Sequence, residues 1–250
     1  MKNLLLAFML LLPSFTFGQV NIESVRNTQK EKMFWGEIKG GLELQKGNVD
    51  VLAYDLDVLT HFQKKSHHVF LQGKTSQGKQ EDKKFKNASF AHLRWTWMCF
   101  EIIGVELFTQ IQQDEFKSLE VRQLNGGGLR SELIKNKNLT LSLGSGAMLD
   151  YEIIKDKESS MLLRSTSYLT FLKTFENNKK SMFMFTVYYQ PLFDDFSDYR
   201  INLEGNIQTV LIDSWNIFID NSINFMYDTK PPEGILTNDL IIKTSLLYSW

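Results

Sequence analysis

The chain has 250 residues, 43% hydrophobic and 23% charged, with 28 Lys plus Arg against 29 Asp plus Glu. That length holds one or two domains, and the apolar and aromatic content excludes a disordered chain. A net charge near zero supplies no basic field for nucleic acid, and a single cysteine excludes both a disulfide framework and a four-thiolate zinc site.

The first element is an export signal. Met1-Lys2-Asn3 carries one positive charge, Leu4 to Leu12 is apolar throughout, and small and aromatic residues from Pro13 to Gly18 precede Gln19. A basic start, an apolar core too short to span a bilayer and small residues at the cut describe a secretory signal peptide. Residues 1–18 are therefore expected to be a signal peptide, 19–32 a periplasmic lead-in and 33–250 a single outer-membrane β-barrel domain. The only cysteine, Cys99, lies far from the apolar core, so no lipid anchor is expected. No later run of 18 apolar residues offers a transmembrane helix.

Alternation takes over from residue 34. Phe34, Gly36, Ile38, Gly40, Leu42 and Leu44 interleave with Trp35, Glu37, Lys39, Gly41, Glu43 and Gln45, which gives a strand one apolar and one polar face. The same rhythm continues through Leu52 to Val58, Ala91 to Trp97, Val105 to Gln112, Leu139 to Glu152, Tyr199 to Ile207 and Asp239 to Trp250. Weaker versions near 68–78, 119–133, 161–173, 182–191 and 215–228 bring the total to about twelve strands. Many exceed the five or six residues usual in soluble sheets and suit tilted transmembrane strands of roughly 9 to 11 residues. The expected fold is all-β: an antiparallel up-and-down transmembrane β-barrel.

The connections suggest its orientation. Short polar turns are expected on the periplasmic side at Lys64 to His67, Cys99 to Glu101, Lys135 to Asn138, Glu176 to Lys180 and Ile212 to Ser214. Longer outer loops are expected at Gly78 to Asn87, Asp114 to Ser118, Ile153 to Ser160, Leu192 to Asp198 and Thr229 to Asn238, with Lys46-Gly47-Asn48 a tight exception. Two aromatic belts then fall on the apolar face. Phe62, Trp97, Phe171, Trp215, Tyr248 and Trp250 lie at periplasmic strand ends, and Tyr151, Tyr189, Tyr199 and Tyr227 at outer ends. A terminal aromatic after alternating apolar residues, Leu246-Leu247-Tyr248-Ser249-Trp250, resembles the insertion signal read by the barrel assembly machinery.

Three stretches carry a family resemblance: Gly40-Gly41-Leu42-Glu43-Leu44-Gln45-Lys46-Gly47-Asn48, Arg122-Gln123-Leu124-Asn125-Gly126-Gly127-Gly128-Leu129-Arg130, and Tyr227-Asp228-Thr229-Lys230-Pro231-Pro232 followed by Asp239. In order and spacing, from about 35 to 250, they resemble the domain of unknown function 481 family, named for salt-induced outer membrane proteins. The resemblance implies an outer-membrane barrel of uncharacterised activity and transfers no catalytic residue. The last residue here is Trp where Phe is commoner.

The opposite parity lines the interior. It places Asp55, Asp57, His92, Arg94, Glu106, Gln110, Arg122, Arg130, Glu132, Asp150, Glu152, Arg164, Arg200 and Glu204 inside, with both signs on neighbouring strands. Such charges can pair across the lumen and plug it, or ring a narrow aqueous path for small solutes or ions with little charge selectivity. Gly126-Gly127-Gly128 lacks the Gly-Lys-Ser/Thr continuation of a phosphate loop and reads as a bend or as room for a large neighbour. His67 and His68 should face opposite sides of a strand end, which disfavours chelation by that pair. Asp194-Asp195-Phe196-Ser197-Asp198 could collect a divalent cation, although its spacing matches no calcium loop. No Ser-His-acid constellation stands out, so no catalytic residue, metal site or cofactor is assigned and no nucleic acid partner is expected. The expected partners are outer-membrane lipid, the assembly machinery during biogenesis and small solutes. The functional expectation is a narrow channel, with a non-conducting structural or stress-related envelope protein as the alternative and a lipid-modifying enzyme as a third class.

Overall fold

The period-two alternation becomes twelve antiparallel strands in the computed structural model, which describes residues 33–46, 50–175 and 178–250. The expected signal peptide and lead-in, together with parts of two connections, lie outside the described residues. The strands are β1 Phe34–Gln45, β2 Val51–Lys64, β3 His67–Gln80, β4 Lys83–Met98, β5 Ile103–Asp114, β6 Leu119–Lys135, β7 Leu139–Ile154, β8 Ser160–Phe175, β9 Asn178–Pro191, β10 Tyr199–Ile212, β11 Ile217–Asp228 and β12 Asn238–Ser249. Each pairs with its sequence neighbours, and β1 pairs with β12 to close the barrel. An even number of strands puts Phe34 and Ser249 at one end, the terminal end. The opposite end is the loop end.

Burial is inverted relative to a soluble protein. Leu42 is 75% exposed, Ile242 63% and Leu129 58%, whereas Asp150, Gln72 and Gln190 are fully buried. Large apolar residues facing outward and polar ones inward, on strands that pair in order around a closed ring, are what a bilayer demands of a spanning structure. The chain is a transmembrane β-barrel.

Both belts can be placed on this wall. At the terminal end Phe62, Trp97 and Tyr248 are about half exposed, Phe171 packs on Phe183 at 6.1 Å, and Trp250 stacks on Tyr248 at 6.2 Å. At the loop end Tyr189, Tyr199 and Tyr227 form a tilted ladder at 5.6 and 6.0 Å, with Tyr151 on the outward parity of β7. Trp215 lies in a one-turn 3-10 helix, Asp213–Trp215, outside the strand in which alternation had placed it, and is 66% exposed.

One expected long loop is absent. β3 and β4 meet in a two-residue turn, Glu81-Asp82, with φ of 47° and 63°. Two consecutive left-handed residues twist the chain as a hairpin does, so the charged stretch from Gly78 to Asn87 continues the wall as strand. Charge density suggests a loop, but a strand beyond the bilayer can carry lysines on either face. A second short helix, Glu115–Lys117, connects β5 and β6, capped by Asp114, whose side chain accepts from the Phe116 amide at 3.0 Å.

Candidate functional site

The lumen is the candidate site, because period-two geometry forces every second residue of every strand into it. At the terminal end Trp35 on β1 stacks on His61 of β2 at 4.8 Å and on His68 of β3 at 5.8 Å. The two imidazoles join Nδ1 to Nε2 at 3.1 Å. His67 does face the other side of the wall, against Trp95 and Trp97.

Deeper in, a hydrogen-bonded chain spans several strands. Arg94 of β4 donates to Glu106 of β5 at 2.9 Å, the Tyr168 hydroxyl of β8 donates to the same Glu106 oxygen at 2.8 Å, and Arg130 of β6 donates to the Tyr168 oxygen at 3.0 Å. Glu132 ties to Lys135 at 2.6 Å. Tyr168 reaches so far because the wall beside it is bare. A Cβ on Gly144 would strike the Tyr168 ring, and one on Gly126 would meet the Phe108 ring at 2.5 Å. The glycines thus provide room for large interior neighbours, one of the roles their sequence context suggested.

The middle of the lumen is apolar. Leu59, Phe70 and Phe90 from β2 to β4 form one buried cluster with Tyr168 and Tyr188 from β8 and β9. In a twelve-strand barrel these sets stand on opposite walls, so the cluster spans the bore. Around it, Asp57 accepts from Gln72 at 2.9 Å and lies 3.6 Å from Lys74, while Asp55 accepts from Lys86 at 2.6 Å and from Ser76, and lies 3.6 Å from Lys243. Lys39 joins Asp220 at 3.0 Å. Glu204 lines a small cavity of about 120 Å³ beside these residues. His92 sits among Phe70, Phe90 and Phe108 and bonds Gln110 at 3.1 Å.

Toward the loop end, opposite charges bridge the lumen. Arg200 of β10 donates to Asp150 at 2.6 Å and Glu152 at 2.8 Å on β7, three strands away, and to Asp228 at 2.8 Å on β11. Arg122 joins Glu152 at 2.5 Å, and Arg164 joins Asp198 at 2.9 Å and Asp150 at 3.3 Å. All twelve charged residues assigned to the interior from sequence lie there. Sequence reasoning missed their partners Lys39, Lys86, Asp220 and Asp228, and it missed the apolar cluster. Lys39 stood on the polar parity and was a usable signal; Tyr168 and Tyr188 lay in weakly alternating segments that gave none.

At the loop end, ion pairs organise the connections. The Asp194–Asp198 cluster does not converge: Asp195 accepts from Lys230 at 2.7 Å and from the Ser197 amide at 3.0 Å, while Asp198 turns to Arg164. The Lys230 ammonium, with help from Ser197, holds the Asp195 carboxyl down to about 2. Lys117 meets Asp239 at 3.1 Å, yet burial pulls its ammonium below the usual lysine range.

A closed barrel whose lumen carries paired charges and an aromatic cluster is therefore the class of protein that the structure defines. The chain belongs to a family described as protein of unknown function, DUF481, whose model matches residues 38–250. No curated protein matches it. Among solved structures it is similar to a bacterial polysaccharide outer membrane secretin, at 8% identity over 87% of this chain and 98% of that one, TM-score 0.48. It is also similar to the NanC porin, at 9% identity over 86% and 97%, TM-score 0.47, and to the CymD monoaromatic hydrocarbon channel, at 10% identity over 93% of each chain, TM-score 0.34.

Proposed function

We propose that this protein is an outer-membrane barrel that rests with its lumen shut, a non-conducting component of the envelope. The observation that carries this reading is the apolar cluster spanning opposite walls, in which Leu59, Phe70 and Phe90 gather with Tyr168 and Tyr188. The Arg200 bridge to Asp150 and Glu152 adds a second obstruction above it. Removing one partner from such a buried charge network strands the others, so thermal motion does not open it cheaply. The terminal end faces the periplasm on this reading, and the outward apolar band meets outer-membrane lipid after insertion by the assembly machinery. On this reading the barrel needs no catalytic step.

A second reading, a narrow path for small solutes, draws support from three cavities in sequence along the axis. They measure about 600 Å³ at the terminal end, 120 Å³ in the middle and 370 Å³ at the loop end. Planar-bilayer recording separates the two. The refolded wild type should give no unitary current, and the Tyr168→Ala, Tyr188→Ala double variant should give steps. Stable unitary current from the wild type would replace the first reading with the second.

A further inference from the structure

The loop-end mouth holds a cavity of about 370 Å³, within the range of small-molecule sites. Its walls are mainly apolar, from Phe116 and Leu119 on one side to Met226 and Ile235 on the other, beneath the Pro231-Pro232 turn. Its cations are already paired: Lys117 meets Asp239 at 3.1 Å, Arg122 meets Glu152 at 2.5 Å, and Arg200 holds Asp150, Glu152 and Asp228. One group stands apart. Asn202 of β10 is only 3% exposed and lines this cavity, and neither its amide nitrogen nor its amide oxygen has a hydrogen-bond partner among the described residues.

A buried amide that offers a donor and an acceptor and uses neither costs free energy unless something completes it. Leucine would pack there without that cost. We propose that the mouth is a binding site for a small uncharged amphiphile, with its apolar body between Phe116 and Met226 and its hydroxyl or amide head on Asn202, whose buried side chain turns toward the cavity to meet it. The paired cations exclude a charged head, because a carboxylate would have to break an existing ion pair to bind and would bring its own desolvation penalty. The site needs no opening of the bore, so it stands whether or not the lumen conducts.

The test is fluorescence titration of the full-length barrel in lipid nanodiscs with 2-naphthol, using protein-free nanodiscs to subtract partition into lipid. Naphthalene serves as the headless comparator and 2-naphthoate at pH 8 as the charged one. Saturable 2-naphthol binding is expected, with 2-naphthoate at least about tenfold weaker. Asn202→Leu should fold as well as wild type, judged by heat-modifiable mobility on gels. It should weaken 2-naphthol about tenfold, the value of one or two hydrogen bonds, and leave naphthalene unchanged. Phe116→Ala, at an exposed position in a connecting turn, should weaken both compounds. Absence of saturable 2-naphthol binding by wild type would overturn the site. Equal 2-naphthol affinity in Asn202→Leu would overturn the role of the amide, and equal affinity for 2-naphthoate would overturn the uncharged class.

Discussion

The β6–β7 wall and the β12–β1 seam both depend on glycine, for opposite reasons. Between β6 and β7 the register runs from Leu119 opposite Ile154 to Lys135 opposite Thr140, and Gly128 stands opposite Gly146 at its centre. These glycines face the lumen, where backbone lies against backbone and leaves space for the rings of Phe108 and Tyr168. At the seam, β1 and β12 stay in register only from Glu37 opposite Ser249 to Gly40 opposite Leu246. There Gly36 faces outward, and the Trp250 indole lies against it so closely that a Cβ would strike the ring. One interface is shaped by what fills the barrel and the other by what caps it from the lipid side. The first should fail by overpacking and the second by losing its cap.

The largest expected effect is therefore at the glycine wall. A Cβ on Gly128 would lie 2.7 Å from the Gly146 Cα and would also strike the Ser145 carbonyl oxygen, both of them backbone that cannot swing aside. Gly128→Val should cost about 3 kcal/mol or more, the upper end for overpacking, and yield little heat-modifiable barrel. Wild-type yield would show that β6 and β7 can separate. Next is Leu129→Arg. Leu129 registers with Ser145 near the middle of this wall and is 58% exposed to lipid. A charge at mid-bilayer should cost about 2 to 4 kcal/mol in urea unfolding from vesicles. Leu141 registers with Phe171 at belt level, so Leu141→Arg should cost about 1 kcal/mol or less. Equal losses would mean that the belts do not mark the membrane boundaries.

What was legible in the sequence follows the same division. Parity along Phe34 to Gln45 and Leu139 to Glu152 is a local property of consecutive side chains, and it placed the wall, its outward face and the interior charges. Partnership across the bore is not local. Nothing near Tyr168 tells that its hydroxyl ends on Glu106, because that contact depends on barrel circumference and on glycines two strands apart. Connections misled where charge stood in for geometry: Lys83 and Lys84 look like loop residues, and only the left-handed conformations of Glu81 and Asp82 make the turn that keeps them in strand. The loop-end cavity escaped for the same reason as Tyr168, since Asn202 and Phe116 share no segment.

At the seam the expected effect is smaller. Trp250 also donates its backbone N–H to the Gly36 carbonyl at 3.0 Å, so the residue contributes both a ladder bond and a lipid-facing cap. Trp250→Ala keeps the bond and removes the cap. A lost cross-strand aromatic contact is worth about 1 kcal/mol, and the cost should appear mainly as slower assembly into vesicles. Unchanged assembly kinetics would show that the four-residue register closes the barrel unaided.

The smallest effect concerns the half of the seam that lacks a partner. Beyond Leu246 toward the loop end, β12 is held by β11 alone in the described register, so the β11–β12 hairpin needs other anchors. Lys230–Asp195 supplies one, from the connection after β11 to the connection after β9. Asp195 is held down to about 2, against an ordinary value near 3.9, so its contribution is complete above roughly pH 4 and is lost as pH falls through about 2. Lys230 is raised by the same contact, so its contribution is present below the usual lysine range and is lost only as pH rises past its elevated folded value. Both groups are exposed, which makes the tie weak and salt-sensitive. Spin labels at Phe196 and Glu233 should report a distance distribution that is constant from pH 5 to 9 and broadens as pH drops toward 2. Lys230→Ala should be broad at every pH. A wild-type distribution that ignores acid would shift the anchoring of this hairpin to Lys117–Asp239 inside the mouth.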